Sequence, residues 1–423
     1  MEMLRRIAAA SWGQLIAVLV MLVSFRLYSA QLGPERFGQA MLGLGVVSLL
    51  DGLGAMAFSQ VLAQMLKDSE SRRQRIGLAL GLGRIFALYE GALYTAALVL
   101  AGWWFGMSML VWLAPTAAVF CMCEIPRAAG MTVTMLERRL GFLSGWNAAE
   151  ALMVLCTSLA SLALTGRHPA ALVLGALAGR ALATLAISPL ALGSPRGWRA
   201  DHAAARAALP RALAFGWSIA VMSPLGWLGA FADRYLVGAF AGVVEAGVIA
   251  ALAGVVMRPF GVVSAGLTNL FRPDLLDEAA GRAPVHARPL RLWLILALIG
   301  GGGGVIAFAI LGGSIADFLI HFQTPDVDRG LLMTVLAASQ IAVLCTHALD
   351  NRLLAQGRSR ALLAALAIAL ALGLPMVATG ALLGGANGAA WGRLGAEVSR
   401  MLASALLIGL ARRGRFVDGA SNR

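Results

Sequence analysis

Lysine is almost absent from this sequence: of 34 basic residues, only Lys67 is not arginine. Charge of any kind is scarce, at 13% of residues, and aromatic residues make up 7%. A soluble domain needs a polar surface, so this composition excludes one. Long polar segments are missing too. The longest run roughly over 193–210, 272–289 and 313–330, too short for a separate enzymatic domain. Cysteine is equally sparse: Cys121, Cys123, Cys156 and Cys345 all fall in apolar stretches. Cys121-x-Cys123 lacks the spacing and partners of a zinc site, so all four read as small apolar residues. The histidines are scattered and match no metal spacing. No nucleophile–base arrangement supports an enzyme, and no catalytic residue, metal or organic cofactor is expected.

What is present is hydrophobic length. The 423 residues are 59% hydrophobic. About twelve apolar stretches follow one another, over 7–31, 37–64, 77–101, 107–135, 142–164, 170–192, 211–238, 243–271, 290–312, 331–355, 361–383 and 386–410. Each is long enough to cross a hydrocarbon core of ~30 Å as a helix. Arginine alternates between the connecting loops. By this reading 22 basic residues lie on one side, and only Arg36, Arg167 and Arg329 lie in loops on the other. The bias puts both termini in the cytoplasm. It also accounts for the net charge of +13 without nucleic acid, and sets the basic loops against anionic lipid headgroups. Met1–Tyr28 has the layout of a signal peptide, but its apolar run is long and leads straight into another span, so a retained first helix is expected.

The chain divides at a polar connector over 193–210. The expected organisation is an amino-terminal six-helix lobe over 1–192 and a carboxyl-terminal six-helix lobe with a cytoplasmic tail over 211–423. The halves echo each other. Leu32-Gly33-Pro34-Glu35-Arg36-Phe37-Gly38 opens the second span, and Phe240-Ala241-Gly242-Val243-Val244-Glu245-Ala246-Gly247 opens the eighth. Halves with an even number of spans are parallel repeats, with a central cavity expected between them.

Two motifs carry a resemblance. Tyr28-Ser29-Ala30-Gln31-Leu32-Gly33-Pro34-Glu35-Arg36-Phe37-Gly38 resembles the opening signature of the polysaccharide-biosynthesis and O-antigen flippases of the multidrug/oligosaccharidyl-lipid/polysaccharide (MOP) exporter superfamily. Phe231-Ala232-Asp233-Arg234-Tyr235-Leu236-Val237-Gly238 resembles that family's Asp-Arg-aromatic-Leu-x-Gly pattern. Ser48-Leu49-Leu50-Asp51-Gly52-Leu53-Gly54 and Gly266-Leu267-Thr268-Asn269-Leu270-Phe271-Arg272-Pro273 add weaker matches, with Arg272 intruding before the proline. The resemblance implies a two-lobed bacterial inner-membrane transporter. It would move a polyprenyl-pyrophosphate-linked oligosaccharide between leaflets by alternating access, with a polysaccharide polymerase or glycosyltransferases as partners. Asp233 and Arg234 carry over as motif positions.

Ionisable groups at membrane depth cost roughly 2.5–3.5 kcal/mol each on insertion scales, so each needs a partner or a wet cavity. Arg84, Arg180, Arg258, Arg393 and Arg400 are the candidate cationic lining for a pyrophosphate. Asp51, Glu124, Glu150, Asp233, Arg234 and Glu397 are the candidates for gating or for coupling to protons or sodium. Arg393, Glu397 and Arg400 stand at i, i+4 and i+7, one helical stripe in which Glu397 is expected to be held by both arginines. Glu124 and Arg127 are one turn apart and read as an intrahelical pair. Glu150 and Asp51 have no base within a turn. Asn147, Glu150, Val154, Thr157 and Ser161 form a stripe that lines a cavity or bonds to another helix. His347, Asp350 and Asn351 read as a solvated or gating cluster. The run Gly300–Gly304 lacks a following Gly-Lys-Ser/Thr, so helix packing or flexibility is expected there, not phosphate binding. Two rivals remain. A cation-coupled multidrug antiporter would favour acids and aromatics in its pocket. The other is a non-transporting membrane scaffold or an integral-membrane glycosyltransferase, and a transferase should show a catalytic acid pair or a sizeable loop outside the bilayer, of which none is evident.

Overall fold

A computed structural model describes residues 2–51, 57–66, 71–104, 123–135, 137, 139–192, 200–279, 289–322, 324, 327–356 and 358–412. Among the described residues every regular element is a helix. They are α1 (Glu2–Leu32), α2 (Pro34–Asp51), α3 (Ala57–Leu66), α4 (Arg72–Trp104), α5 (123–135), α6 (Leu140–Thr165) and α7 (Pro169–Leu192). Then follow α8 (His202–Phe240), α9 (Val243–Ala279), α10 (Pro289–Leu319), α11 (Arg329–Ala355) and α12 (Ser359–Arg412). The chain is an all-α integral membrane protein. Lipid offers backbone groups no hydrogen bonds, so a helix that bonds to itself is the natural solution for such apolar runs. Seven described helices are long and apolar enough to cross a membrane. The α10 span has a mean hydropathy of 2.4 but only 11% of it is buried, as a lipid-facing surface requires.

Among the described residues the expected spans fall on these helices, the fourth only in part, on α5. The second span is covered by α2 and α3. The eleventh and twelfth are two arms of α12, which breaks at Gly384 and Gly385. Gly385 has φ 55°, and a Cβ there would meet the Glu245 carboxylate. That carboxylate accepts from Ala386 N at 2.7 Å, an anion at the start of the second arm. Elsewhere, the Asp328 side chain accepts from Leu331 N to cap α11, and Gly166 ends α6 in the left-handed region. Connector residues 193–199 and the stretch 105–122 lie outside the described residues.

The chain forms two compact units. The first is Met1–Ser24 with Gly43–Pro224, and the second is Phe25–Leu42 with Leu225–Arg423. The first is built around Phe58, Leu62, Leu66, Leu82, Ile125 and Trp146. In it α6 and α7 approach closely, with Gly175 and Gly179 against the backbone of Ser158 and Val154. Thr157 Oγ1 donates to Gly175 O at 2.7 Å, so the fifth-span stripe bonds to a neighbouring helix.

The second unit takes in the end of α1 and the start of α2, which sequence halves alone do not suggest. Packing explains it. Ser29 Oγ donates to Leu319 O at 2.8 Å, Phe37 meets Phe322 edge-on, and Gly38 lies against Gly247. The two sequence echoes therefore meet. Gly33 and Gly242, both with positive φ, make the matching turns α1–α2 and α8–α9.

Candidate functional site

Two buried charge clusters stand out, one in each unit. In the first, Glu124 is 3% exposed on α5 and faces Arg127 one turn on. Arg127 Nη1 donates to Glu124 Oε2 at 3.3 Å, so the intrahelical pair exists. It is part of something larger. Arg127 Nε donates to Glu150 Oε2 on α6 at 2.6 Å, and Arg180 Nε on α7 lies 3.2 Å from Glu124 Oε1 and 3.5 Å from Glu150 Oε1. Two acids and two arginines thus tie three helices together. Glu150 is not the unpaired acid that its own helix suggests, because its bases come from α5 and α7. Arg180 is not an open cation either, since it serves two carboxylates.

The second cluster joins α8, α9, α11 and α12. Arg393 Nη1 donates to Asp233 Oδ2 at 2.5 Å, with both side chains 3% exposed. Arg400 Nη2 donates to Asp350 Oδ2 at 3.0 Å, and Ser404 Oγ to Asp350 Oδ1 at 2.9 Å. Ser264 Oγ and His347 Nδ1 are 2.5 Å apart. Asp350 is buried, which corrects the solvated reading of the His347–Asn351 group. Arg234 lies over the Phe231 ring at 4.5 Å and within 4.0 Å of Asp233.

Between the two arginines stands Glu397, 8% exposed. The expected stripe is present, but its bonding is not as expected. Both arginines turn to acids on other helices, and Glu397 Oε2 has no hydrogen-bond partner among the described residues. Asp233, Arg393, Glu397 and Arg400 line a cavity of about 30 Å³ walled by Leu228, Leu366, Leu370 and Val377. It has room for a water, not for a sugar or a phosphate.

The two remaining candidate cations are exposed. Arg84 Nη1 lies 3.3 Å from His202 Nε2, and Gly81 packs on Asp201, so Arg84 sits beside the connector. Arg258 precedes Pro259 inside α9, fifteen residues after Val243 and fourteen before Arg272 in that apolar span. It has no ion pair or hydrogen bond among the described residues. The side chain of Asp51 lies outside the described set. Among the described residues, no group of three or more His, Cys, Asp or Glu side chains is placed to hold a metal. The cross-helix partners were invisible to spacing arguments. Only the excess of intramembrane charge signalled that they existed.

No family model and no curated protein sequence matches the chain. Solved structures do. A lipid II flippase, MurJ, in an inward closed conformation superposes with a TM-score of 0.65 at 12% identity, covering 94% of this chain and 87% of that one. An inward-facing multidrug resistance transporter of the MATE family of the MOP superfamily gives 0.67 at 14%, covering 94% of each chain. A MOP superfamily transporter from Pyrococcus furiosus, described by the reversed polarity of its binding pocket, gives 0.62 at 13%, covering 97% and 95%. The chain has the fold of MOP superfamily transporters. At such identities the likeness speaks to architecture alone, and the chemistry must come from the residues.

Proposed function

We propose that this chain is a transporter of the flippase type, moving an anionic polyprenyl-pyrophosphate-linked oligosaccharide across the bacterial inner membrane for surface polysaccharide synthesis. One observation carries the reading: Arg258 is an exposed residue halfway along an apolar span, with no acid to neutralise its guanidinium among the described residues. Such a group is stable in a membrane only where water or an anion reaches it. A planar guanidinium offers paired donors to a phosphate. Pro259 follows directly and removes a backbone donor inside the helix, which favours a bend at that point.

The fold supports transport, and the MurJ relative is itself described as a flippase. Cycling would proceed by alternating access, with no bond broken. Both termini would face the cytoplasm, as the arginine bias requires. A multidrug antiporter of the same fold is the second reading. Against it, the aromatic face of Phe231 is already covered by Arg234, which leaves that ring unavailable to an organic cation.

The test is deletion of the gene, followed by surface-glycan staining and mass spectrometry of lipid-linked intermediates. The expected result is loss of surface glycan with accumulation of the lipid-linked precursor. Unchanged glycan with new drug sensitivity would support the antiporter and reject the flippase.

A further inference from the structure

Among the described residues, Glu397 is a buried carboxylate of the second unit that stands outside the cluster's ion pairs. Its carboxyl is more than nine-tenths buried and lines the small cavity, and its Oε2 has no hydrogen-bond partner among the described residues. Arg393 Nε is also without one, although Arg393 lies one helical turn before Glu397. The charged groups that face Glu397 are Asp233 on α8, Asp350 on α11, and Arg393 and Arg400 on α12, with Arg234 beside Asp233 and His347 beside Asp350. From α9, Met257 Sδ lies 3.6 Å from Arg393 Nη2.

We propose that Glu397 is a proton-binding site, and that its proton, rather than a metal cation, sets whether Arg393 belongs wholly to Asp233 or is shared with α12's own acid. As a coupling site it rests on the transporter reading. The protonation itself does not.

First, a buried carboxylate with an oxygen that accepts no hydrogen bond is costly, and a proton from water entering the cavity removes that charge as the neutral acid forms. The cavity has room for such a water. Second, a hard metal cation needs a shell of several oxygens. Around Glu397 the other carboxylates are committed, Asp233 to Arg393 and Asp350 to Arg400 and Ser404. The rest of the wall is apolar or carries guanidinium, which repels a cation. Third, an ionised Glu397 offers Arg393 a second carboxylate at i+4, in competition with Asp233. A neutral Glu397 does not. Proton occupancy therefore changes how firmly α12 is tied to α8.

The experiment uses the full chain in lipid nanodiscs and no transport substrate. Infrared difference spectra are taken while pH is stepped, and again at fixed pH while potassium is replaced by sodium. The expected result is a protonated-carboxyl C=O band that grows on acidification, ignores sodium, and is lost in Glu397→Gln. The unfolding rate in detergent should vary over the same pH range in the wild type and lose that variation in the variant. A band that persists unchanged in Glu397→Gln overturns the proposal. So does a band that sodium removes, or a wild type with no such band. If the variant does not fold, the wild-type pH and sodium series still decides between proton and metal. A negative glycan assay leaves all these readings intact, so failure of the transporter proposal and failure of this one are distinguishable.

Discussion

Arg393 on α12 and Asp233 on α8 share a 2.5 Å hydrogen bond, with each side chain 3% exposed. A charge pair this dry is held by its partner, because neither group can turn to solvent. Removing one member strands the other, at a cost of about 3–5 kcal/mol. Arg393→Met should therefore lower thermal stability in detergent sharply. The double variant Arg393→Met, Asp233→Leu should recover most of the loss, since an apolar pair of similar volume removes the stranded charge. A double variant no more stable than the single one would show that the pair does more than neutralise itself.

The cluster in the first unit makes a graded prediction. Glu124 is 3% exposed and serves both arginines, while Glu150 is 12% exposed and serves the same two. Glu124→Gln should cost more stability than Glu150→Gln, because the drier acid has less access to water. Thermal unfolding of the two purified variants measures the difference. Equal losses would mean that water reaches both sites alike.

Glycines in α10 divide into two sorts. A Cβ at Gly304 would press on the Phe260 ring, and one at Gly301 on Ile341, whereas Gly302 and Gly303 face open space. Alanine at 302 or 303 should be neutral or stabilising by up to about 1 kcal/mol, since glycine is the weaker helix former. Gly304→Ala should destabilise. Equal effects at Gly303 and Gly304 would reject packing as the reason for the run.

The spans and the break into helices were legible because lipid enforces length and apolarity, which sequence displays directly. The turns at Gly33 and Gly242 were legible as well, since both motifs repeat. The pairing of charges was not. Arg393, Glu397 and Arg400 share a helical stripe, so sequence places them together, yet their partners Asp233 and Asp350 lie more than a hundred and about fifty residues away. Spacing reveals neighbours on one helix only. The same limit made Glu150 look alone and Glu397 look satisfied, when their bonding is the reverse. The transfer of residues 25–42 to the second unit was equally hidden, because it depends on the fit of Gly38 to Gly247 and of Ser29 to Leu319.

The last prediction separates binding from structure at Arg258. This residue is exposed and makes no hydrogen bond or ion pair among the described residues, so its loss should leave the fold intact. Arg258→Ala should unfold at the wild-type temperature, unlike Arg393→Met. If Arg258 holds a pyrophosphate, the same variant loses charge-assisted hydrogen bonds worth about 1.5–3 kcal/mol. That corresponds to roughly a ten- to hundredfold fall in export at limiting substrate. Arg258→Lys keeps the charge but not the planar fork, and should restore only part of the activity. The measurement is glycan export in the deletion strain complemented at matched protein levels. Full export by Arg258→Ala would remove the observation on which the flippase reading stands. A fall in both stability and export would assign Arg258 to packing instead.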